Sequence, residues 1–133
     1  MERLVWLNGA FVPEAEAALP IRDLGLICGD AVFDTARTFD GRLFMGAEHI
    51  DRLRRSLAAV RLPEPMPKSE LLALTEELIS RNEPALRPGE DWWVTQRFTA
   101  GLRAGQRAGA APGRSCRIWR ACWPKARAAT SLS

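Results

Sequence analysis

The chain has 133 residues, 47% of them hydrophobic and 26% charged, which suits one domain with a core of its own. No apolar run approaches the roughly 20 residues that cross a bilayer, and the opening Met-Glu-Arg-Leu-Val-Trp-Leu lacks the apolar stretch of a secretory signal, so a cytoplasmic protein with no membrane contact is expected. Cys28, Cys116 and Cys122 have no metal-ligand spacing, and an odd count argues against a disulfide framework, so no metal site is expected either.

In chain order, Leu4–Leu7 and Ala10–Val12 flank Asn8-Gly9, the strongest short-range signal for a β-hairpin. Glu14 to Pro20 reads as loop or one short irregular turn. Ile21 to Gly29 holds too much glycine for a helix and too little alternation for a long strand. Ala31–Phe39 reads as a strand, Asp40-Gly41 as a second hairpin turn, and Arg42–Met45 as the returning strand. The period then changes. Ile50, Leu53, Leu57 and Val60 recur at helical spacing within Ala47–Val60. Pro63, Pro65 and Pro67 break the chain, and Lys68–Arg81 forms a second amphipathic helix with Leu71, Leu74 and Leu78 on one stripe. Asp91–Thr99 reads as a further strand. Hairpin strands followed by helices make an α+β fold, a small antiparallel sheet with two helices packed on it.

The net charge of +3 conceals an asymmetry. Residues 1–100 hold all 16 acidic residues and 12 basic ones, hence −4, whereas residues 101–133 hold seven basic residues and no acidic one. The second stretch has no apolar periodicity. Its two tryptophans, Trp119 and Trp123, do not form a stacking platform for nucleic acid, and no nucleic-acid partner is expected. Residues 1–100 are therefore read as the domain. Residues 101–133 are read as a basic, low-complexity tail, irregular or disordered, or translated out of frame.

The stretch around which the rest is organised runs from Asp23 to Arg37 and on to Glu48-His-Ile-Asp-Arg-Leu53. It sets Gly25 and Gly29 ahead of a β-branched and aromatic strand, and then an arginine on a helix. A glycine-rich bend, a strand and an Arg-bearing helix in succession are one way to line a site for a phosphorylated cofactor. Asn8-Gly9, Asp23 with Gly25, Gly29-Asp30 before Val32-Phe33, and His49-x-x-Arg52-Leu53, in this order and spacing, resemble the N-terminal domain of the class IV aminotransferases. These are fold-type-IV pyridoxal-phosphate enzymes, including branched-chain and D-amino-acid aminotransferases and aminodeoxychorismate lyase. The resemblance runs from about Trp6 to Leu62 and weakens through Thr99.

The resemblance implies amino-group transfer between an amino acid and a 2-oxo acid on pyridoxal 5'-phosphate, in an enzyme that is a homodimer when intact. It implies that Arg52 binds the cofactor phosphate, with His49 supporting it. A guanidinium suits that task because its planar fork matches phosphate oxygens and stays charged. It also implies that Phe33 lines the substrate pocket with Arg37 close by, and that Leu26 and Cys28 fall where relatives often carry aromatic residues. Arg97 is expected at the pocket mouth. Phe33 and Arg37, at i and i+4, share one face of a strand.

The family's chemistry also needs a Schiff-base lysine. Lys68 begins a helix and Lys125 lies in the tail, and neither sits in a segment like the family's catalytic strand, so no catalytic residue is assigned. The expectation is an incomplete enzyme. The same motifs fit a lyase of this fold, or a non-catalytic small domain that associates with a partner subunit.

Overall fold

The computed structural model of the chain describes residues 2–102 and, as backbone, the segment Arg117–Ala126. Strands β1 (Leu4–Leu7) and β2 (Ala10–Pro13) form the first hairpin, and Asn8 and Gly9 take the positive φ that the turn requires, 50° and 103°. Strand β3 (Ala31–Phe39) returns through Asp40-Gly41 as β4 (Arg42–Phe44). Helices α2 (Gly46–Ala59) and α3 (Lys68–Asn82) follow, and β5 (Glu90–Thr99) closes the part of the chain whose elements the residue pattern predicts.

Besides a short 3-10 turn at Glu83–Ala85, two elements were not predicted. One is α1 (Leu24–Ile27), a single helical turn in the glycine-bearing stretch expected to be non-helical. Glycine costs about 1 kcal/mol against alanine in a helix interior, but tertiary contact overrides that here. The Asp23 carboxylate caps the turn by accepting from Gly25 N–H at 2.9 Å, and it also accepts from Thr99 Oγ1 at 2.9 Å. A Cβ on Gly25 would lie 2.6 Å from Thr99 Cγ2, so only glycine lets the turn sit this close to β5.

The other is β6 (Arg117–Ala126), within the stretch read as an irregular tail. Residues 103–116 and 127–133 of that stretch lie outside the described residues. The backbone of β6 pairs with β5 from Glu90↔Ala126 to Thr99↔Arg117, and with β1 at Trp6 and Leu7. The sheet order is β2-β1-β6-β5-β3-β4, with every neighbouring pair antiparallel. Strand β6 thus joins the first hairpin to the rest.

Alternation divides the sheet into two faces. Residues Val32, Asp34, Ala36 and Thr38 of β3, with Trp92, Val94, Gln96 and Phe98 of β5, face α2 and α3. Their apolar members meet Ile50, Leu53, Leu57, Leu71, Leu78 and Ile79 in two adjoining clusters. On the opposite face Phe33, Phe39, Phe44 and Trp93 are exposed. The β3–β4 ladder covers only Arg37 to Phe39, so Ala31–Ala36 form a free edge among the described strands. Where the β3–β5 ladder ends, Trp92 N–H donates to Thr38 Oγ1 at 2.8 Å instead of to a strand carbonyl. No helix of the described residues is long and apolar enough to cross a membrane.

Candidate active site

Asp34 is the residue on which the site is built. It occupies a position on the covered face of β3, and its side chain is only 5% exposed. A carboxylate there must be paired, because desolvating an unpaired charge is prohibitively costly. Helix α2 supplies the partners. His49 and Arg52 stand three residues apart, hence on one side of the helix, and both reach Asp34. Oδ2 accepts from Arg52 Nε at 2.5 Å, and Oδ1 accepts from Arg52 Nη2 at 2.9 Å. His49 Nδ1 lies 2.7 Å from the same Oδ1. The carboxylate can only accept, so Nδ1 is the protonated nitrogen; Arg52 Nη2, 3.4 Å from Nδ1, is then a neighbour and not a donor to it.

The consequence for Arg52 is a guanidinium fixed along one edge by a two-pronged carboxylate and open along the other, with 59% of the side chain exposed. Hydrogen bonding to Asp34, reinforced by its charge, raises the guanidinium pKa above its ordinary value, so Arg52 is a permanent cation. Its outer edge can still grip a second oxyanion through parallel N–H bonds.

The substrate-pocket candidates lie on the other face. Phe33 is 62% exposed and is the cross-strand partner of Arg97, whose guanidinium carbon sits 5.2 Å from its ring centre. Thr35 and Thr95 hydroxyls meet at 2.9 Å in the next pair. Arg37 lies 4.5 Å over the ring of Phe39 and places Nη2 3.7 Å from Asp91 Oδ2. Leu26 and Cys28 are exposed on α1 and its C-terminal cap. The structure thus brings Phe33 and Arg97 together, ties Arg37 to Asp91 and Phe39, and joins Arg52 to Asp34 and His49. Among the described residues, no direct contact links Arg52 to Phe33, Arg37, Arg97, Leu26 or Cys28. What unites the two groups is the free edge of β3, from which Phe33 is reached on one face and Asp34 with Arg52 on the other.

Of the two lysines, Lys68 is tied elsewhere. Lys68 Nζ donates to Asp51 Oδ2 at 2.6 Å, and only the backbone of Lys125 is described. No cluster of potential metal ligands occurs among the described residues. Sequence reasoning missed Asp34. The signal was available, since it is the one acidic residue among the alternate positions Val32, Asp34, Ala36 and Thr38, and an Arg-bearing helix follows.

A family model described as amino-transferase class IV matches residues 31–118, extending past the point where the motifs fade. The putative branched-chain-amino-acid aminotransferase of Methanocaldococcus jannaschii is 40% identical over 78 residues, which cover 59% of this chain and 27% of that protein. The D-alanine aminotransferase of Listeria monocytogenes serotype 4b is likewise 40% identical over 78 residues, with the same coverage of 59% and 27%. A T.th. branched-chain amino acid aminotransferase, solved with pyridoxamine 5'-phosphate, aligns with a TM-score of 0.76 at 26% identity, over 92% of this chain and 40% of that one. The chain spans about a quarter of the length of the curated relatives it matches. With its ordered motifs, its sheet and helices, and a family match across β3, α2, α3 and β5, the chain belongs to the class IV aminotransferases.

Proposed function

We propose that this chain forms the small domain of a pyridoxal-phosphate-dependent enzyme that moves an amino group between an amino acid and a 2-oxo acid. Residues 1–100 make up that domain, and β6 completes its sheet. The observation that carries the reading is the half-occupied guanidinium of Arg52, held by Asp34 and open on its outer edge. A donor set of this kind fits a phosphate ester, which needs a permanent cation and parallel N–H groups at fixed positions.

In this reading Arg52 binds the cofactor phosphate, and Asp34 with His49 keeps the guanidinium aimed. When bound, the cofactor supplies an electron sink for the substrate's α-carbon. Across the free edge of β3, Phe33 and Arg97 flank the substrate, Arg37 supports them, and Leu26 and Cys28 wall the pocket from α1. Lys68 is held by Asp51 and Lys125 sits in no segment like the family's catalytic strand, so the proposal places the catalytic lysine and its proton transfer outside this chain. It follows that this chain alone binds phosphate but does not turn over substrate, and that the active enzyme is a homodimer.

The experiment is a titration of the full chain with inorganic phosphate and with pyridoxal 5'-phosphate, comparing wild type, Arg52→Lys and Arg52→Ala. Loss of a charge-assisted fork is expected to weaken binding of both by roughly tenfold or more in Arg52→Ala. Arg52→Lys should fall between the two, because it keeps the charge without the fork. Equal phosphate affinity in all three proteins would remove the reading.

A further inference from the structure

His49 is the only histidine in the chain, and one of its ring nitrogens is tied to the group that anchors Arg52. Its side chain is 22% exposed, and Nδ1 donates to Asp34 Oδ1 at 2.7 Å. The same oxygen accepts from Arg52 Nη2, so imidazole and guanidinium lie side by side on one carboxylate. Among the described residues, Asp34 of β3 and Arg52 of its own helix are the charged groups that meet the ring. The neighbouring Glu48 is exposed and makes no bond to it, and neither does any charged side chain of α3.

Because the Asp34 carboxylate only accepts, Nδ1 keeps its proton whether the ring is neutral or charged. A proton taken from solvent must therefore add at Nε2. Titration of the ring changes the charge of the cluster and leaves its bonds to Asp34 in place. With the ring neutral, the charges of Asp34 and Arg52 cancel; with it protonated, the cluster is cationic. Histidine is the side chain whose charge ordinarily changes between about pH 5 and 8. Arg52 Nη2 has two N–H groups, of which one goes to Asp34 Oδ1 and the other lies on the open edge. Since Nη2 is 3.4 Å from His49 Nδ1, an oxyanion bonded to that second N–H brings an oxygen within about 6 Å of the imidazole. At that separation a unit charge still acts on a dianion, even in a largely solvated setting.

We propose that binding of a dianionic oxyanion at the open edge of Arg52 is coupled to the uptake of one proton by His49 at Nε2. The inference rests on the reading of Arg52 as an oxyanion site, and adds that the site gains positive charge as pH falls. The protonated cluster holds a dianion more tightly than the neutral one does. A monoanion, with half the charge, gains less. Coupling is reciprocal, so the bound dianion in turn raises the pH at which His49 gives up its proton. His49 is then a positioning residue with a second task, supplying charge to the anion that Arg52 grips.

The test uses sulfate, whose two negative charges do not change over this pH range, and NMR of the isotope-labelled full chain. With a single histidine in the sequence, the imidazole resonances report the charge of His49 directly. Wild-type affinity for sulfate should rise about threefold or more between about pH 8 and pH 5.5. Saturating sulfate should move the His49 titration to higher pH by a matching factor. His49→Gln keeps a donor for Asp34 but takes up no proton, so its affinity, whatever its absolute value, should stay flat with pH. Arg52→Ala should bind sulfate much more weakly throughout. If the wild type binds no sulfate, or Arg52→Ala binds it equally well, this inference falls together with the reading of Arg52. If binding depends on Arg52 yet is flat with pH in the wild type, the proton coupling alone is overturned. A His49 titration unmoved by sulfate, or a His49→Gln variant that keeps the wild-type slope, overturns it in the same way.

Discussion

The two faces of β3 put adjacent side chains to opposite uses. On one, Asp34 is buried beneath α2 and is satisfied by two donors. On the other, Phe33 is exposed beside Arg97. Adjacent residues thus invert the usual order, with the carboxylate inside and the aromatic ring outside. Burying a charge is tolerated only with partners in place, and leaving a phenylalanine in water gives up burial energy. A strand that does both at consecutive positions is organised around an edge where other groups arrive. The lesson is that the groups of the proposed site are set out by alternation at a free strand edge rather than by a closed pocket.

Substitutions can break that comparison. Phe98 lies opposite Val32 and is fully buried in the core, while Phe33 is on the open face. Phe98→Ala should cost about 3–5 kcal/mol in chemical unfolding, the ordinary loss for a core aromatic, and Phe33→Ala should stay within about 0.5 kcal/mol. Comparable losses from both would mean that the faces are not distinct in this chain. Asp34→Asn ranks next. It keeps the shape and removes the charge that Arg52 and His49 share; because Arg52 is largely solvated, the cost should be about 1–3 kcal/mol and not that of a fully buried pair. The same variant should weaken phosphate binding without removing Arg52, which separates aiming the guanidinium from its charge.

Gly25→Ala sharpens the comparison at the strand's end, where α1 presses on β5. Its added methyl meets Thr99 at 2.6–2.8 Å, so a loss of about 1–3 kcal/mol is expected from overpacking. A companion Thr99→Ser, which keeps the hydroxyl bonded to Asp23 and deletes the crowding methyl, should restore part of it. No recovery in the double variant would place the cost in the backbone turn instead.

Much of this fold was legible in the residue pattern. The hairpin turns announced themselves through Asn8-Gly9 and Asp40-Gly41, and both helices through leucines at helical spacing, because each of those signals is local. What was not legible depends on contacts far apart in sequence. The α1 turn exists because Asp23 and Gly25 fit against Thr99, 76 residues from Asp23, and no window of sequence contains both. Strand β6 is placed by pairing with β5 and β1, not by an alternation of its own. The site divided in the same way. Arg52 was singled out by its motif, whereas Asp34 was overlooked because alternation identifies a buried position without identifying which helix residue will neutralise it.

The smallest expected effect concerns an ion pair away from the strand edge, which serves as the contrast to Asp34. Lys68 Nζ sits 2.6 Å from Asp51 Oδ2, with both side chains partly exposed. The hydrogen bond from Lys68 comes first among the causes, with its charge and those of Arg54 and Arg55 adding to it, and together they hold the Asp51 carboxyl below its ordinary 3.8. A carboxylate whose pKa is depressed by folding contributes stability that is present above the unfolded value and is lost as pH falls through the folded one. The pair should therefore add to thermal stability at neutral pH, and that contribution should fade below about pH 4, the unfolded carboxylate value. Lys68→Met should accordingly lower Tm slightly at neutral pH, and by progressively less as pH falls below about 4. Salt should shrink the difference further, since exposed pairs are screened. Asp34→Asn, whose carboxylate is shielded from solvent, should keep most of its cost in high salt at neutral pH. If added salt instead reduces both losses equally, the contrast between the covered and exposed carboxylates is lost.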